Sequence, residues 1–134
     1  MNPAIRSIDG VCDVALVRGA AAVPDARPAV VLEVPHGATR GEDFRALRAR
    51  LRGDVPNDLI EFFFVNTDIG APELAFAIAE RLVAAAPSCS ALVLRSRLPR
   101  TLVDCNRSLD RASVPSGSGA GELTPGLPPW IRDV

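Results

Sequence analysis

The chain has 134 residues and a net charge of −1, so its length suits one folded domain and its charge creates no field that attracts nucleic acid. Hydrophobic residues make up 48% of it and charged residues 23%, which is typical of a globular protein. The N-terminus lacks the apolar core of a secretory signal, and no apolar stretch is long enough to span a bilayer. We therefore expect a cytoplasmic protein with neither a nucleic-acid nor a membrane partner.

The cysteines exclude one further class of protein. Cys12, Cys89 and Cys105 are odd in number, far apart and without a CxxC pair. This pattern fits a reducing compartment and argues against a disulfide framework or a thiolate zinc site. We expect all three thiols to be buried or unreactive.

The first half of the chain predicts two strands and a helix. Apolar runs at residues 11–17 and 29–34 indicate short β-strands. Thr39 and Glu42 then have the spacing of a capping box, and apolar residues follow at helical spacing as far as Gly53, which predicts the stop.

The second half predicts another helix between apolar runs. Residues 59–65 favour a strand, at least at their end, although an irregular core segment remains open. Pro72 is suited to the first helical position and Pro87 to the helix end, and 90–94 predict a further strand. The helix is expected to be broadly buried, because one apolar stripe has further apolar residues beside it. The stripe is formed by Leu74, Ile78, Leu82 and Ala85, and the residues beside it are Phe76, Ala79 and Val83.

The alternation of strands and helices predicts an α/β domain with a mostly parallel or mixed sheet, layered as α/β/α. We assign this domain to residues 1–112. Residues 113–134 are rich in Ser, Gly and Pro and predict a loop or tail.

His36, the only histidine, follows the second strand in the sequence Val-Pro-His-Gly. An imidazole fixed at a strand end is well placed as a zinc ligand, with a histidine that closes a turn as the alternative. Gly37 has no side chain, which allows close approach of the backbone and of a metal-bound ligand.

Asp68 is the leading oxygen partner for such a metal. It lies in a loop ahead of the second helix, where the alternative role is a helix cap. Glu42, Asp43 and Glu73 are weaker ligand candidates.

The segment from Arg100 to Arg107 predicts binding of a carboxylate. Asn106 and Arg107 provide an amide and a planar guanidinium that match a carboxylate, and Arg100 could stabilise an oxyanion. Asp104 could orient one of these arginines. A salt-bridge network that only stabilises the turn is the alternative.

The motifs VPHG, TDIGAPELA and RTLVDCNR together resemble the N-formylglutamate amidohydrolase family, which is related to zinc carboxypeptidases and aspartoacylases. The resemblance covers residues 30–110. It implies a carboxypeptidase-like fold and a zinc cofactor, with His36 and Asp68 as metal ligands. It further implies that Arg100 polarises the scissile carbonyl, while Asn106 and Arg107 hold the carboxylate of an N-acyl amino acid substrate.

The chain departs from that family in two respects. Related carboxypeptidases carry their acidic ligand three residues after the histidine, where this chain has Thr39. The second zinc-binding histidine and the catalytic glutamate lie in the later half of family members, and this chain has one histidine in all. We therefore expect an N-terminal portion of a longer enzyme, prone to self-association through surface that a C-terminal half would cover.

The resemblance thus favours a zinc-dependent amidohydrolase acting on N-acyl amino acids such as N-formylglutamate. A catalytically inactive carboxylate-binding or interaction module is the main alternative. A cysteine hydrolase that pairs Cys105 or Cys89 with His36 is a third possibility, and no nucleophile-elbow motif accompanies it.

Overall fold

The structure, a computed structural model, describes residues 5–51, 56 and 58–106. Its elements are β1 (Cys12–Arg18), β2 (Val30–Val34), α1 (Gly41–Arg48), α2 (Leu59–Val65), α3 (Ala71–Ala85) and β3 (Ser90–Ser96). The predicted helix stop at Gly53, the predicted carboxylate-binding residue Arg107 and the predicted tail at 113–134 lie outside these ranges. No helix within them has both the length and the apolar character needed to cross a membrane.

The sheet is small and mixed. β3 lies in the centre, parallel to β2 and antiparallel to β1. Arg95 near the end of β3 pairs with Val34 on one side and with Asp13 on the other. The α/β class is confirmed, while the three-layer, carboxypeptidase-like arrangement remains a prediction.

The main core lies between α3 and one face of the sheet. Ala75, Ala79 and Val83 recur every four residues on α3, so they share one face of the helix. Their sheet partners in this core are Val34, Ala91 and Val93. Because alanine is small, the helix can lie close to the strands, which fixes the strand ends from which the candidate site is built.

A second core joins the helices to the segment that follows β3. Phe44 of α1 packs on Phe63 of α2 with ring centroids 5.4 Å apart, a favourable separation for an aromatic pair. Leu59 and the fully buried Leu102 complete this cluster. Burial of Leu102 therefore anchors the chain between Arg100 and Asp104.

The expectation of a strand at residues 59–65 is wrong, because this segment forms α2. Its continuous apolar and aromatic character hides the helical period. Only Leu59 and Phe63, four residues apart, are buried, whereas Phe62, Phe64 and Val65 are exposed. The segment has seven residues, a length that suits a strand as well as a short helix, so its length could not decide between them.

The expectation for α3 is confirmed only in part. Ala79 and Val83 are buried, and Leu82 packs on the same core, whereas Leu74 and Ile78 are 61% and 44% exposed. The face that packs on the sheet is centred on Ala75 and Ala79. Side-chain size misled the prediction, since close helix–sheet packing selected the smaller residues.

Both helix starts differ by one residue from the prediction. Arg40 rather than Thr39 is the N-cap of α1, and its backbone N–H donates to the Asp43 carboxylate at 3.3 Å. α3 begins at Ala71, with Gly70 as its N-cap in the left-handed conformation (φ 89°). Glycine adopts this conformation without the steric penalty of a Cβ.

Candidate functional site

The candidate site forms where two parallel strands end. β2 and β3 run in the same direction, so the segments that follow them meet at one edge of the sheet. His36 lies two residues after the end of β2 at Val34, and Arg100 lies four residues after the end of β3 at Ser96. The topology therefore brings together the two motifs that the sequence singled out.

Gly37 holds the His36 turn close to β3. Its N–H donates to the Val34 carbonyl at 3.1 Å, which closes the turn. A Cβ on Gly37 would lie 2.5 Å from Cγ of Arg95 and 2.8 Å from the carbonyl oxygen of Ser96. Only glycine fits at this distance, so the turn is fixed against the central strand.

The imidazole of His36 lies between two carboxylates. Nδ1 is 2.9 Å from Oδ2 of Asp68, and Nε2 is 2.8 Å from Oδ1 of Asp104. The Asp68 side chain is 51% exposed, whereas those of His36 and Asp104 are 10% and 11% exposed. The ring therefore has one partner at the solvent and one in the interior.

Asp104 connects three parts of the site. Besides facing His36, its Oδ1 accepts a hydrogen bond from the backbone N–H of Asn106 at 3.0 Å. Its Oδ2 forms an ion pair with Nε of Arg100 at 3.5 Å. This contact uses Nε, and the terminal Nη groups of Arg100 carry further donors, for which no partner is found within residues 5–51, 56 and 58–106 and which a ligand oxygen could accept from.

Asp68 does not cap α3 with its side chain, which was the alternative role. The N-cap is Gly70, and no side-chain cap bond is made there. The Asp68 backbone carbonyl accepts from the N–H of Ala71 at 3.1 Å. Its carboxylate is therefore directed at His36, across 32 residues of sequence.

The weaker ligand candidates do not join this site. Glu42 and Glu73 are exposed, and Asp43 belongs to a separate ion cluster. There, Nε of Arg97 lies 2.6 Å from Oδ1 of Asp43, and Asp13 accepts from the same guanidinium at 3.1 Å. Burial acts to lower the pKa of Arg97, but hydrogen bonds and charges from Asp13 and Asp43 outweigh it and raise that pKa above its ordinary value.

Arg95 completes the ion cluster and was missed by the sequence analysis. Its Nε donates to the Gly37 carbonyl at 2.7 Å, and its Nη groups lie 3.6 Å from Asp43 and 3.9 Å from Asp13. A signal was present, because Arg95 shares a strand face with the buried Ala91 and Val93. A charge on a core-facing strand position indicates a buried partner.

The donor set at His36 fits part of a zinc site. A neutral imidazole donates from one nitrogen only, so its second nitrogen would face a carboxylate with no proton between them. A cation at that position, either a proton or a metal ion, removes this conflict. Asp68 is the exposed partner, whereas Asp104 already accepts from Asn106, so Nδ1 and Asp68 are the two groups that would hold a metal ion.

The contact between Nε2 of His36 and Asp104 resembles the hydrogen bond that commonly orients a metal-bound histidine. A metal-bound histidine commonly donates its other N–H to a carboxylate, as Nε2 of His36 is placed to do toward Asp104. The two carboxylates lie on opposite sides of the ring and cannot converge on one ion. Accordingly, no three His, Cys, Asp or Glu side chains among the described residues are arranged to hold a metal.

The cysteines lie apart from the imidazole nitrogens. All three are free; Cys12 and Cys89 are half-buried, and Cys105 is exposed, so for Cys105 only the expectation of an unreactive thiol stays a prediction. The Cys105 sulfur is 3.4 Å from the Ser96 hydroxyl. Since both nitrogens of His36 face carboxylates, the geometry does not favour a Cys–His pair.

Comparison with known proteins adds no assignment. No protein-family model, curated protein or solved structure matches the chain. The site therefore has to be interpreted from its own geometry.

Proposed function

We propose that this chain carries part of the site of a zinc-dependent amidohydrolase acting on N-acyl amino acids such as N-formylglutamate. The observation that carries the proposal is the position of His36 between Asp68 and Asp104, with Asp104 also paired to Arg100. One carboxylate network thereby links a metal-binding pair to a guanidinium that a substrate can reach.

His36 and Asp68 would hold the zinc. Bound zinc supplies a Lewis acid that activates water toward an amide carbonyl. With its proton on Nε2, His36 would donate a hydrogen bond to Asp104, which would fix the ring and leave Nδ1 free to bind the zinc. Asp104 would therefore orient His36 as a zinc ligand without binding the zinc itself.

Arg100 would stabilise negative charge on the carbonyl oxygen during hydrolysis. Its side chain is anchored at Nε by Asp104, and the Nη groups carry donors that can meet this oxygen. Asn106 follows Asp104 closely and would bind the substrate carboxylate together with Arg107. A third metal ligand and a proton-transferring group complete the proposed enzyme, because two ligands hold zinc weakly.

One observation favours the alternative, a carboxylate-binding module without chemistry. With two ring protons, both nitrogens of His36 donate to carboxylates, so the site can be satisfied without a metal ion. Such a module would use Arg100 and Asn106 to bind a carboxylate ligand.

Calorimetric titration with zinc tests the proposal. We expect weak binding that is lost in His36→Ala and reduced in Asp68→Asn, because one remaining ligand cannot hold the ion. Glu73→Gln is the control, since it removes an exposed carboxylate away from His36. Tight binding that survives His36→Ala would mean that the ligands are misassigned.

Titration with N-formylglutamate separates the two functions. The amidohydrolase predicts that zinc strengthens binding of this ligand, since bound zinc would supply a Lewis acid close to the amide group. The binding module predicts equal affinity with and without zinc. Glutamate, which lacks the acyl group, is the comparison ligand.

A further inference from the structure

Arg95 and Arg97 face the same two carboxylates but make different contacts. Arg97 makes the short contacts, at 2.6 Å to Asp43 and 3.1 Å to Asp13. The Nη groups of Arg95 lie farther from these carboxylates, at 3.6 and 3.9 Å. Its short bond, at 2.7 Å, goes from Nε to the carbonyl of Gly37.

The position of Arg95 in the sheet explains this division. Arg95 lies in register with Asp13 of β1 and Val34 of β2, so its side chain starts between the two neighbouring strands. The carboxylate of Asp43 has no exposed surface and is already bound by Arg97. The two carboxylates thus hold the Nη side of the Arg95 guanidinium, and Nε is directed at the turn.

The bond to Gly37 acts on the residue that carries the imidazole. Gly37 directly follows His36, and its carbonyl is fixed by Nε of Arg95. The Cγ of Arg95 also occupies the space that a Gly37 side chain would fill. Arg95 therefore contacts the turn through both a hydrogen bond and van der Waals packing.

We infer that Arg95 is a positioning residue, which sets the place of His36 through the Gly37 carbonyl. This inference rests on the proposed function, because it assigns Arg95 to the metal pair of His36 and Asp68. Arg97 shares the carboxylates of Arg95, and within the described residues its side chain makes hydrogen bonds and ion pairs to Asp13 and Asp43 and none to the turn. Arg97 therefore stabilises the fold and does not place the imidazole.

Two matched variants of the full chain test this inference. Arg95→Met and Arg97→Met each remove one guanidinium from the same cluster, and both should lower the melting temperature. Only Arg95→Met should weaken zinc binding, by about tenfold or more, as for loss of a residue that orients a ligand. Arg97→Met should stay within about twofold of wild type, since zinc affinity depends on the ligands and their supports.

A metal-free measurement makes the result independent of the proposed function. The chain has one histidine, so its imidazole gives a single set of ring signals in NMR spectra. Arg95→Met should shift these signals and Arg97→Met should leave them in place. If wild type binds no zinc, the proposed function fails, but the NMR comparison still decides the role of Arg95.

Arg95→Lys provides the second variant should Arg95→Met fail to fold. Lysine keeps the positive charge facing Asp13 and Asp43 but lacks the Nε–H of the guanidinium. We expect shifted His36 signals in this variant too. Unchanged signals in the folded Arg95 variants, or equal shifts in Arg97→Met, would overturn the inference.

Discussion

Oδ1 of Asp104 lies 2.8 Å from Nε2 of His36, although the two residues are 68 positions apart in the sequence. Asp104 also pairs with Arg100, so one nearly buried carboxylate orients both the imidazole and the guanidinium. A change at Asp104 should therefore affect metal binding and substrate binding together.

Asp104→Asn should weaken zinc binding about 10–100-fold, which is typical for loss of a carboxylate that orients a metal-bound histidine. The asparagine keeps the size of the side chain but removes the charge that faces His36 and Arg100. Calorimetry with zinc measures the effect. Asp9→Asn is the control, since Asp9 is fully exposed and paired only with Arg50 in the described residues; an equal loss in both variants would contradict the role of Asp104.

Gly37→Ala should destabilise the fold by about 1–3 kcal/mol, because a methyl group here overpacks the contact with Arg95 and the Ser96 carbonyl. The free energy of unfolding in urea measures this cost. Gly41→Ala is the matched control, since its Cβ would meet the movable side-chain ends of Arg45 and Phe64. A smaller loss for Gly37→Ala than for Gly41→Ala would show that the turn is not pressed against β3.

Asp43→Asn should cost about 3–5 kcal/mol of stability, as expected when one partner of a buried ion pair is removed. The Asp43 side chain has no exposed surface and faces the guanidiniums of Arg95 and Arg97. The exposed neighbour Glu42 supplies the control, Glu42→Gln. Equal melting temperatures for the two variants would refute a structural role for the ion cluster.

The sequence predicted which side chains meet better than it predicted their surroundings. His36 and Asp68, singled out because a lone histidine at a strand end and a loop carboxylate are chemically distinctive, are in contact in the structure, while their role as metal ligands stays a prediction. The contact of Asp104 with the imidazole depends on the burial of Leu102 against Phe44, a long-range packing event that residue types do not encode. The same applies to Arg95, whose partners come from β1, from the turn after β2 and from α1.

The fold was predictable wherever the hydrophobic period was clear. The strands at β1, β2 and β3 were predicted to within a few residues because short apolar runs between turn residues have few other solutions. α2 was missed because nearly all of its residues are apolar although only two are buried, so the sequence shows no helical period. Its exposed aromatic residues carry no signal of which face packs inward.

Self-association remains a prediction, and α2 and its flanking loop offer a way to test it. Val65 and Ile69 are 83% and 80% exposed. Neighbouring apolar side chains that are this exposed favour contact with another molecule. Sedimentation velocity at rising concentration should show a growing sedimentation coefficient. Val65→Lys should reduce this growth more than Ala84→Lys, a substitution at an exposed position of α3; a monomer at every concentration would contradict the prediction.

Arg100 and Arg107 should separate by role in a longer, active version of the enzyme. Arg107 would meet a carboxylate that is present throughout the reaction, so Arg107→Lys should mainly raise KM. Loss of the bidentate hydrogen bond should weaken the binding free energy by about 1–3 kcal/mol. Arg100 would meet negative charge that develops only after water attacks, so Arg100→Lys should mainly lower kcat, by roughly 10²–10³-fold.

Steady-state kinetics with N-formyl and N-acyl amino acids measures both arginine variants. The structure gives a reason to expect this difference, because Arg100 is paired with Asp104, which also faces the imidazole of His36, a proposed metal ligand. An Arg100→Lys enzyme with normal kcat and a raised KM would make Arg100 a second carboxylate-binding group. The oxyanion would then require another donor, and the proposed mechanism would be wrong at that residue.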